Sequence, residues 1–311
     1  MKALTTVHEY RKLFGKLRQL RRLRLSKKDK IPFEIKRQYG RKKLEAFVKD
    51  YWQGGYVYYD TCDYLYIPPI SSTNSIWRLI EPYIPEQILE KFCKPENIVM
   101  DIGANIGEWT IHMANLVGEL GSVYSFEPLP IVNQALKKTA MINNLSQVFI
   151  SDYALSNQIG DSNLIIPYDS TNTIISGESR LETLDEPWNK GTDVASTKSI
   201  QVKTTTLDNF VSQKNLKRLH FVKIDVEGNE RLVLEGGQDT FRNYKPKLIL
   251  EAGSEKKEDR EKISSLLQSW GYEIIGIILP HGIAEVKWDQ YVALSNPFEA
   301  KNPLNVLFIP A

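Results

Sequence analysis

Cysteine is scarce in this 311-residue chain. Only Cys62 and Cys93 occur, and no Cys-x-x-Cys pair is present, which argues against a disulfide framework or a cysteine zinc site. Long apolar runs are missing as well: none approaches the roughly 20 residues needed to span a bilayer. Lysine and arginine interrupt Met1 to Leu25 throughout, so that stretch does not read as a secretory signal. There is no internal repeat. These absences together point to a reducing cytoplasm as the working environment. What remains is an ordinary globular composition, with 42% hydrophobic residues and a mean hydropathy of −0.33. That is enough to build one large α/β domain, or a domain with an extension.

The net charge of +2 hides an asymmetry. Residues 1–49 hold 17 Lys and Arg against 4 Asp and Glu, so a basic extension precedes an acidic body. Leu13, Leu17 and Leu20 fall at helical spacing with Arg18, Arg21, Arg22 and Arg24 between them. Residues 1–30 therefore read as a basic amphipathic helix. It either packs on the body with a solvated basic face or makes peripheral contact with an anionic membrane surface or phosphate-rich polymer. Residues 51–85 are crowded with Tyr and Trp, and Tyr56 to Tyr59 against Tyr64 to Ile67 reads as a hairpin. Aromatic side chains with a polar tip suit a surface over a pocket, so this segment is a candidate cap that also lines a cavity. The expected organisation is residues 1–95 as basic helix and aromatic cap, and 96–311 as the main domain.

From about residue 96 strands and helices alternate, as in a mostly parallel sheet covered on both faces. Strands are expected at Ile98–Ile102, Ser122–Phe126, Val148–Ile150, Asn163–Ile166, Ile200–Thr205, Phe221–Asp225, Leu248–Glu251, Tyr272–Leu279 and Asn305–Ile309. Helices are expected at Gly107–Val117, Ile131–Asn144 and Glu255–Trp270. Asp169 to Ser199 reads as a long polar loop of the kind used as a lid or specificity element.

The most telling run is Val99-Met-Asp-Ile-Gly-Ala-Asn-Ile-Gly107, followed by Ser125-Phe-Glu-Pro128. An apolar strand enters a glycine-bearing turn before a helix, and the next strand ends on a carboxylate that can reach ribose hydroxyls. Ligands of open parallel sheets lie beyond the carboxyl ends of the strands. Asp101, Glu127, Asp152, Asp225 and Glu251 stand at five such ends. An all-acidic rim disfavours phosphate and favours hydroxyls, amines or a cation. Gly103 and Gly107 lack the middle glycine of a full G-x-G-x-x-G turn, which ranks a nicotinamide enzyme low. S-adenosylmethionine, with a ribose, amines, a sulfonium and no phosphate, fits that rim.

These residues carry a resemblance. Asp101-Ile-Gly-Ala-Asn-Ile-Gly107, Phe126-Glu-Pro128, Thr205-Thr-Leu-Asp208, Lys247-Leu-Ile-Leu-Glu251 and above all Val222-Lys-Ile-Asp-Val-Glu-Gly-Asn-Glu230 resemble the FkbM family of S-adenosylmethionine-dependent methyltransferases, over roughly residues 95–275. The resemblance implies a Rossmann-like, seven-stranded methyltransferase sheet and O-methylation, commonly of sugars in polysaccharides, glycolipids or natural products. It implies that Asp101, Gly103, Asn105 and Gly107 surround the donor's methionine portion and that Glu127 takes the ribose hydroxyls. Asp152, with backbone near Tyr153 and Ala154, would meet the adenine edge.

Methyl transfer needs an aligned acceptor oxygen and a group to receive its proton. Asp225 and Glu227 are the candidate catalytic carboxylates. His281 is the best placed histidine, because His220 begins its strand at the opposite end, His112 lies mid-helix and His8 is in the basic arm. A divalent metal held by Asp225 and Glu251, with Glu227 nearby, is the alternative to a side-chain base, and it is not favoured. The expected acceptor is a glycan or other hydroxyl-bearing molecule. Two other readings stand beside this one: an RNA methyltransferase using the basic arm, for which no RNA-binding motif is apparent, and a non-catalytic donor-binding module. The expected location is the cytoplasm, with contact at the inner membrane face if the arm attaches there.

Overall fold

The computed structural model describes residues 54–59, 63–68, 85–170, 172–182, 194–253, 256–279, 282–293 and 304–311. The expected basic helix over 1–30, most of the aromatic segment and His281 lie outside these residues.

The chain opens with a hairpin, β1 (Gly55–Tyr59) and β2 (Asp63–Ile67), followed by α1 (Glu86–Phe92). Alternation then begins with β3 (Ile98–Ile102), α2 (Glu108–Val117), β4 (Ser122–Phe126), α3 (Pro130–Ile142) and β5 (Val148–Ser151). Next come β6 (Ala154–Leu155), β7 (Gly160–Tyr168), a 3-10 turn at Ser176–Glu178, β8 (Arg180–Leu181) and β9 (Ser196–Thr205). The second half holds α4 (Leu207–Gln213), β10 (Phe221–Ile224), α5 (Glu230–Glu235), α6 (Gln238–Tyr244), β11 (Lys247–Ala252) and α7 (Lys257–Ser269). It closes with β12 (Tyr272–Leu279), β13 (Gly282–Ala284), α8 (Trp288–Ala293) and β14 (Leu304–Pro310).

The main sheet has the order β5-β4-β3-β10-β11-β14-β12-β13. Its first five strands run parallel, and β14 is antiparallel to both β11 and β12. The sheet therefore has eight strands where the resemblance implied seven. The addition is β13, paired antiparallel to β12 at the sheet edge. Three residues, Gly-Ile-Ala, are too few to show the alternation that marks a strand in sequence.

Alternation of side chains across the pleat divides the core in two. Val99, Val123, Phe221, Ile249 and Leu307 face one side, with α2 and α3. Met100, Val222, Ile224, Leu248, Leu250 and Phe308 face the other, with α4, α6 and α7. Fully buried side chains of this size contribute roughly 1.5–3 kcal/mol each, so both faces are strongly specified. No helix among the described residues is long and apolar enough to cross a membrane.

Two expectations about accessory segments change. The hairpin forms in the expected register, Tyr56 opposite Tyr66 and Tyr58 opposite Tyr64, but it docks on helices rather than over a cavity. Tyr66 N–H donates to Thr139 Oγ1 (2.9 Å), Tyr64 N–H to Asn143 Oδ1 (2.8 Å), and Asn115 Nδ2 to Asp63 Oδ2 (2.7 Å). Leu65 and Ile67 are fully buried, which ties the hairpin to the domain by apolar burial as well. The Asp169–Ser199 stretch, in turn, is partly regular. β6, β9, β7 and β8 form a second, four-stranded sheet, and residues 172–182 fold back onto β7 through an Ile174–Tyr168 bridge and the β7–β8 pairing. Polar composition concealed this, because the outer half of β9, Ser196 to Ser199, is itself polar and exposed although it pairs with the apolar run Ile165 to Tyr168 of β7.

Candidate active site

Strand order reverses between β3 and β10, and ligand crevices of open sheets form at that switch point. A cleft of about 870 Å³, including space open to solvent, lies there. Gly103 makes the close approach of the two strand ends feasible. Its φ is +80°, and a Cβ on it would stand 1.7 Å from the Asp225 carbonyl oxygen. The N–H groups of Gly103 and Ala104 both donate to Phe126 O (3.0 and 2.9 Å), so the turn is anchored to the end of β4.

Glu127 follows β4 and lines the cleft. Asn105 N–H donates to its Oε2 (3.0 Å) and Leu129 N–H to its Oε1 (2.9 Å). A carboxylate has about four acceptor sites, so lone pairs on both oxygens remain for a ligand. Burial pushes the carboxyl up to about 7, against the lowering effect of those two N–H groups. Asn133 braces this corner by donating from Nδ2 to Glu127 O (2.7 Å) and Ser151 O (3.0 Å).

Beneath the cleft lies a polar row that runs across the strands. Ser125 is paired with Asp101, and Asp101 with Lys223, all on the face covered by α2. Thr110 donates to Asp101 Oδ2 (2.6 Å) and lies 2.9 Å from Ser125 Oγ. Lys223 Nζ is 2.9 Å from Asp225 Oδ2 and 3.7 Å from Asp101 Oδ1, with the Trp109 ring centroid 5.4 Å away. Burial alone would depress the Lys223 ammonium, but Asp225 and Asp101 outweigh it and hold it above its ordinary range. Asp101 itself is raised, chiefly by complete burial.

Past β10 the chain turns through two left-handed residues, Glu227 (φ 55°) and Gly228 (φ 100°). Glu230, the first residue of α5, folds back so that Oε1 accepts from Val226 N–H (2.9 Å) and Gly228 N–H (3.2 Å). This clamp projects Glu227 to the cleft, where its carboxylate and those of Asp225 and Glu251 lie within 4.8 Å of one another. Burial, then the charges of Asp225 and Glu227, hold the Glu251 carboxyl well above the ordinary carboxylate range.

Of the expected donor residues, Gly103, Asn105, Glu127, Tyr153 and Ala154 line the cleft. Three do not. Asp101 is fully buried one layer below. Gly107, at φ 102°, faces α3, since a Cβ there would meet Leu136 Cδ1 at 2.6 Å. Asp152 is exposed outside the lining, because β5 ends at Ser151 and the next side chain turns outward. Asp225 and Glu227 line the cleft, with Glu251 beside them. His220 sits at the opposite end of the sheet, its Nδ1 accepting from Ile98 N–H (3.0 Å). His112 is half-buried near Glu86.

Sequence reasoning missed Lys223 as a site residue, along with Trp109 and the wall formed by Ser176, Ser179, Arg180 and Leu181. A lysine inside the buried strand Phe-Val-Lys-Ile was the available signal for the first. The wall lies within the Asp169–Ser199 stretch read as a lid or specificity element, but which of its residues reach the cleft depends on the second sheet. None of the described residues of the aromatic segment touches the cleft.

The sequence profile of the methyltransferase FkbM domain matches residues 101–274, from the buried Asp101 to the middle of β12. The chain belongs to the FkbM methyltransferase family. Among relatives of this FkbM-family chain, "Methyltransferase 1" of Beauveria bassiana is 25% identical over 186 residues, covering 58% of this chain and 73% of that protein. The "31-O-demethyl-FK506 methyltransferase FkbM" of Streptomyces tacrolimicus is 26% identical over 163 residues, covering 47% of this chain and 61% of the relative. A crystal structure of an FkbM methyltransferase from Methylobacillus flagellatus KT aligns with a TM-score of 0.42 and 17% identity, over 69% of this chain and 43% of that one.

Proposed function

We propose that this FkbM-family chain moves a methyl group from S-adenosylmethionine to a hydroxyl oxygen, the acceptor being a sugar hydroxyl of a glycan, glycolipid or glycosylated natural product. The observation that carries the reading is Glu127. It is a cleft carboxylate fixed by two backbone N–H groups with lone pairs left over, at the position where a vicinal diol can be gripped. The donor supplies an activated methyl on a sulfonium. The residues suited to hold it are Gly103 and Asn105 beside the turn, Glu127 at the ribose, and Tyr153 and Ala154 beyond it.

The sulfonium charge disappears during transfer, so carboxylates near it favour ground-state binding more than the chemical step. Rate must then come from alignment of the acceptor and removal of its proton. Lys223 neutralises part of the acidic floor and fixes one Asp225 oxygen. The Asp225–Glu227–Glu251 cluster at the mouth is where an acceptor hydroxyl can lose its proton. Trp109 and residues of the 176–181 segment also line the cleft, and an aromatic ring beside polar side chains suits a hydroxyl-rich sugar ring.

The test uses the full chain. Calorimetry should show saturable binding of S-adenosylmethionine and none of NAD, and labelled donor should transfer to a glycan fraction with the mass of one added methyl. A chain that binds no S-adenosylmethionine would overturn the donor. Label appearing in RNA and not in glycans would overturn the acceptor.

A further inference from the structure

The two ends of the parallel sheet carry opposite charge. The turns leaving β3, β4, β5 and β10, residues 103–107, 127–129, 152–153 and 225–229, hold Glu127, Asp152, Asp225 and Glu227 and no lysine or arginine. The loops entering β3, β4, β5 and β10 are residues 93–97, 118–121, 143–147 and 214–220, and residues 245–247 lead into and start β11. Together they hold Lys94, Lys214, Lys217, Arg218, Lys245 and Lys247 against Glu96 and Glu119, all exposed. Backbone bonds knit this end into one surface: Ser122 N–H donates to Asn97 O (2.9 Å), His220 N–H to Ile98 O (2.9 Å) and Lys247 N–H to His220 O (3.0 Å). None of the six cations forms an ion pair with a carboxylate among the described residues. Lys94 Nζ donates to Glu90 O, and Lys217 Nζ to Asn215 Oδ1. Charge alone would suit any anion, but the same end also exposes apolar side chains. Leu120 in the loop before β4 is 81% exposed, and Met141 and Ile142 in the last turn of α3 are 68% and 42% exposed. Tyr64 is held beside them by backbone hydrogen bonds with Asn143 (2.8 and 2.7 Å), and a ring with a polar tip suits a boundary between water and hydrocarbon. A phosphate-rich polymer would engage the cations and leave the aliphatic side chains idle. An anionic lipid surface uses both, since interfacial binding adds apolar burial to electrostatic attraction. The sequence leading into the hairpin adds charge of the same sign, 17 Lys and Arg within residues 1–49.

We propose that this end of the sheet docks on an anionic lipid surface, with Leu120, Met141 and Ile142 at the headgroup boundary and the six cations on lipid phosphates. The cleft lies at the other ends of the same strands, so docking leaves it facing water. The docking face is independent of the methyl-transfer reading.

The test sediments the full chain with vesicles of phosphatidylcholine alone and of phosphatidylcholine mixed with phosphatidylglycerol. Binding should require the mixed vesicles and weaken with added salt. Combining Lys217→Gln, Arg218→Gln and Lys247→Gln should weaken it about 100-fold. Combining Leu120→Ser with Met141→Ser should weaken it about ten-fold. Combining Lys198→Gln, Lys257→Gln and Lys262→Gln removes the same charge from exposed positions elsewhere and should bind within about three-fold of the parent. All these side chains are exposed, so thermal unfolding of each variant should match the parent's. No binding to the mixed vesicles, or binding unchanged in either the basic or the apolar variant, overturns the docking face. An equal loss in the control variant would mean net charge rather than this face, and also overturns it. Polyuridylate bound more tightly than the mixed vesicles would replace the lipid surface with a nucleic acid.

Discussion

The two walls of the cleft are built differently. The wall proposed for the donor consists of strand ends and the backbone turns that leave them: Gly103 and Glu127 N–H donate to carbonyls of adjacent parallel strands, and Asn105 N–H donates to the Glu127 carboxylate. The opposite wall consists of side chains from a short 3-10 turn and the two-residue strand β8, brought in by the second sheet. Backbone-fixed geometry tolerates little variation, whereas side chains on a short insertion can change without disturbing the main sheet.

The largest effect is expected at the strand-end wall, from Gly103→Ala. A left-handed φ and a Cβ 1.7 Å from the Asp225 carbonyl should cost more than about 3 kcal/mol, read by denaturant titration. A variant stable to within about 1 kcal/mol would mean that the β3 and β10 ends are not closely apposed. Next in size is Glu127→Ala, which should weaken S-adenosylmethionine about 100-fold in calorimetry, from the loss of charge-assisted hydrogen bonds worth about 1.5–3 kcal/mol each. Unchanged affinity would remove Glu127 from the donor wall.

The pH dependence is smaller and follows from the same residue. The free protein holds the Glu127 carboxyl at about 7, so below that pH it is protonated and must lose its proton to accept ligand hydroxyls. Donor affinity should therefore fall with acidification, by at most about ten-fold per pH unit below 7, and level off above it. The Glu127→Gln variant should lack that slope, and a slope retained there would place the titrating group elsewhere. The smallest effect is expected on the other wall. Arg180→Ala should leave the donor Kd within about two-fold while raising the acceptor KM about three- to ten-fold in transfer assays. A large loss of donor affinity instead would show that the two walls are not separable.

Strands β3, β4, β10 and β11 were legible because buried parallel strands are continuous apolar runs, and these four and the antiparallel β12 all begin and end within a residue of expectation. Helices α4, α5, α6 and α8 were not, being six or seven residues long, too short for a 3.6-residue period to repeat. The carboxylates at strand ends were legible as a set, yet the set sorted into three fates. Glu127 lines the cleft, Asp101 is buried under it, and Asp152 points to solvent. One residue of strand length decides which, since successive side chains project from opposite faces.

The parallel α/β sheet and the glycine turn after β3 are each encoded by residues close together in the chain, so the amino-acid pattern alone specifies them. The remaining features arise from packing between distant segments. Lys223 meets Asp101 through the register of β3 against β10, Glu251 meets Asn305 through that of β11 against β14, and residues 176–181 reach the cleft through a second sheet. Register and sheet packing depend on contacts far apart in sequence, which no local pattern records.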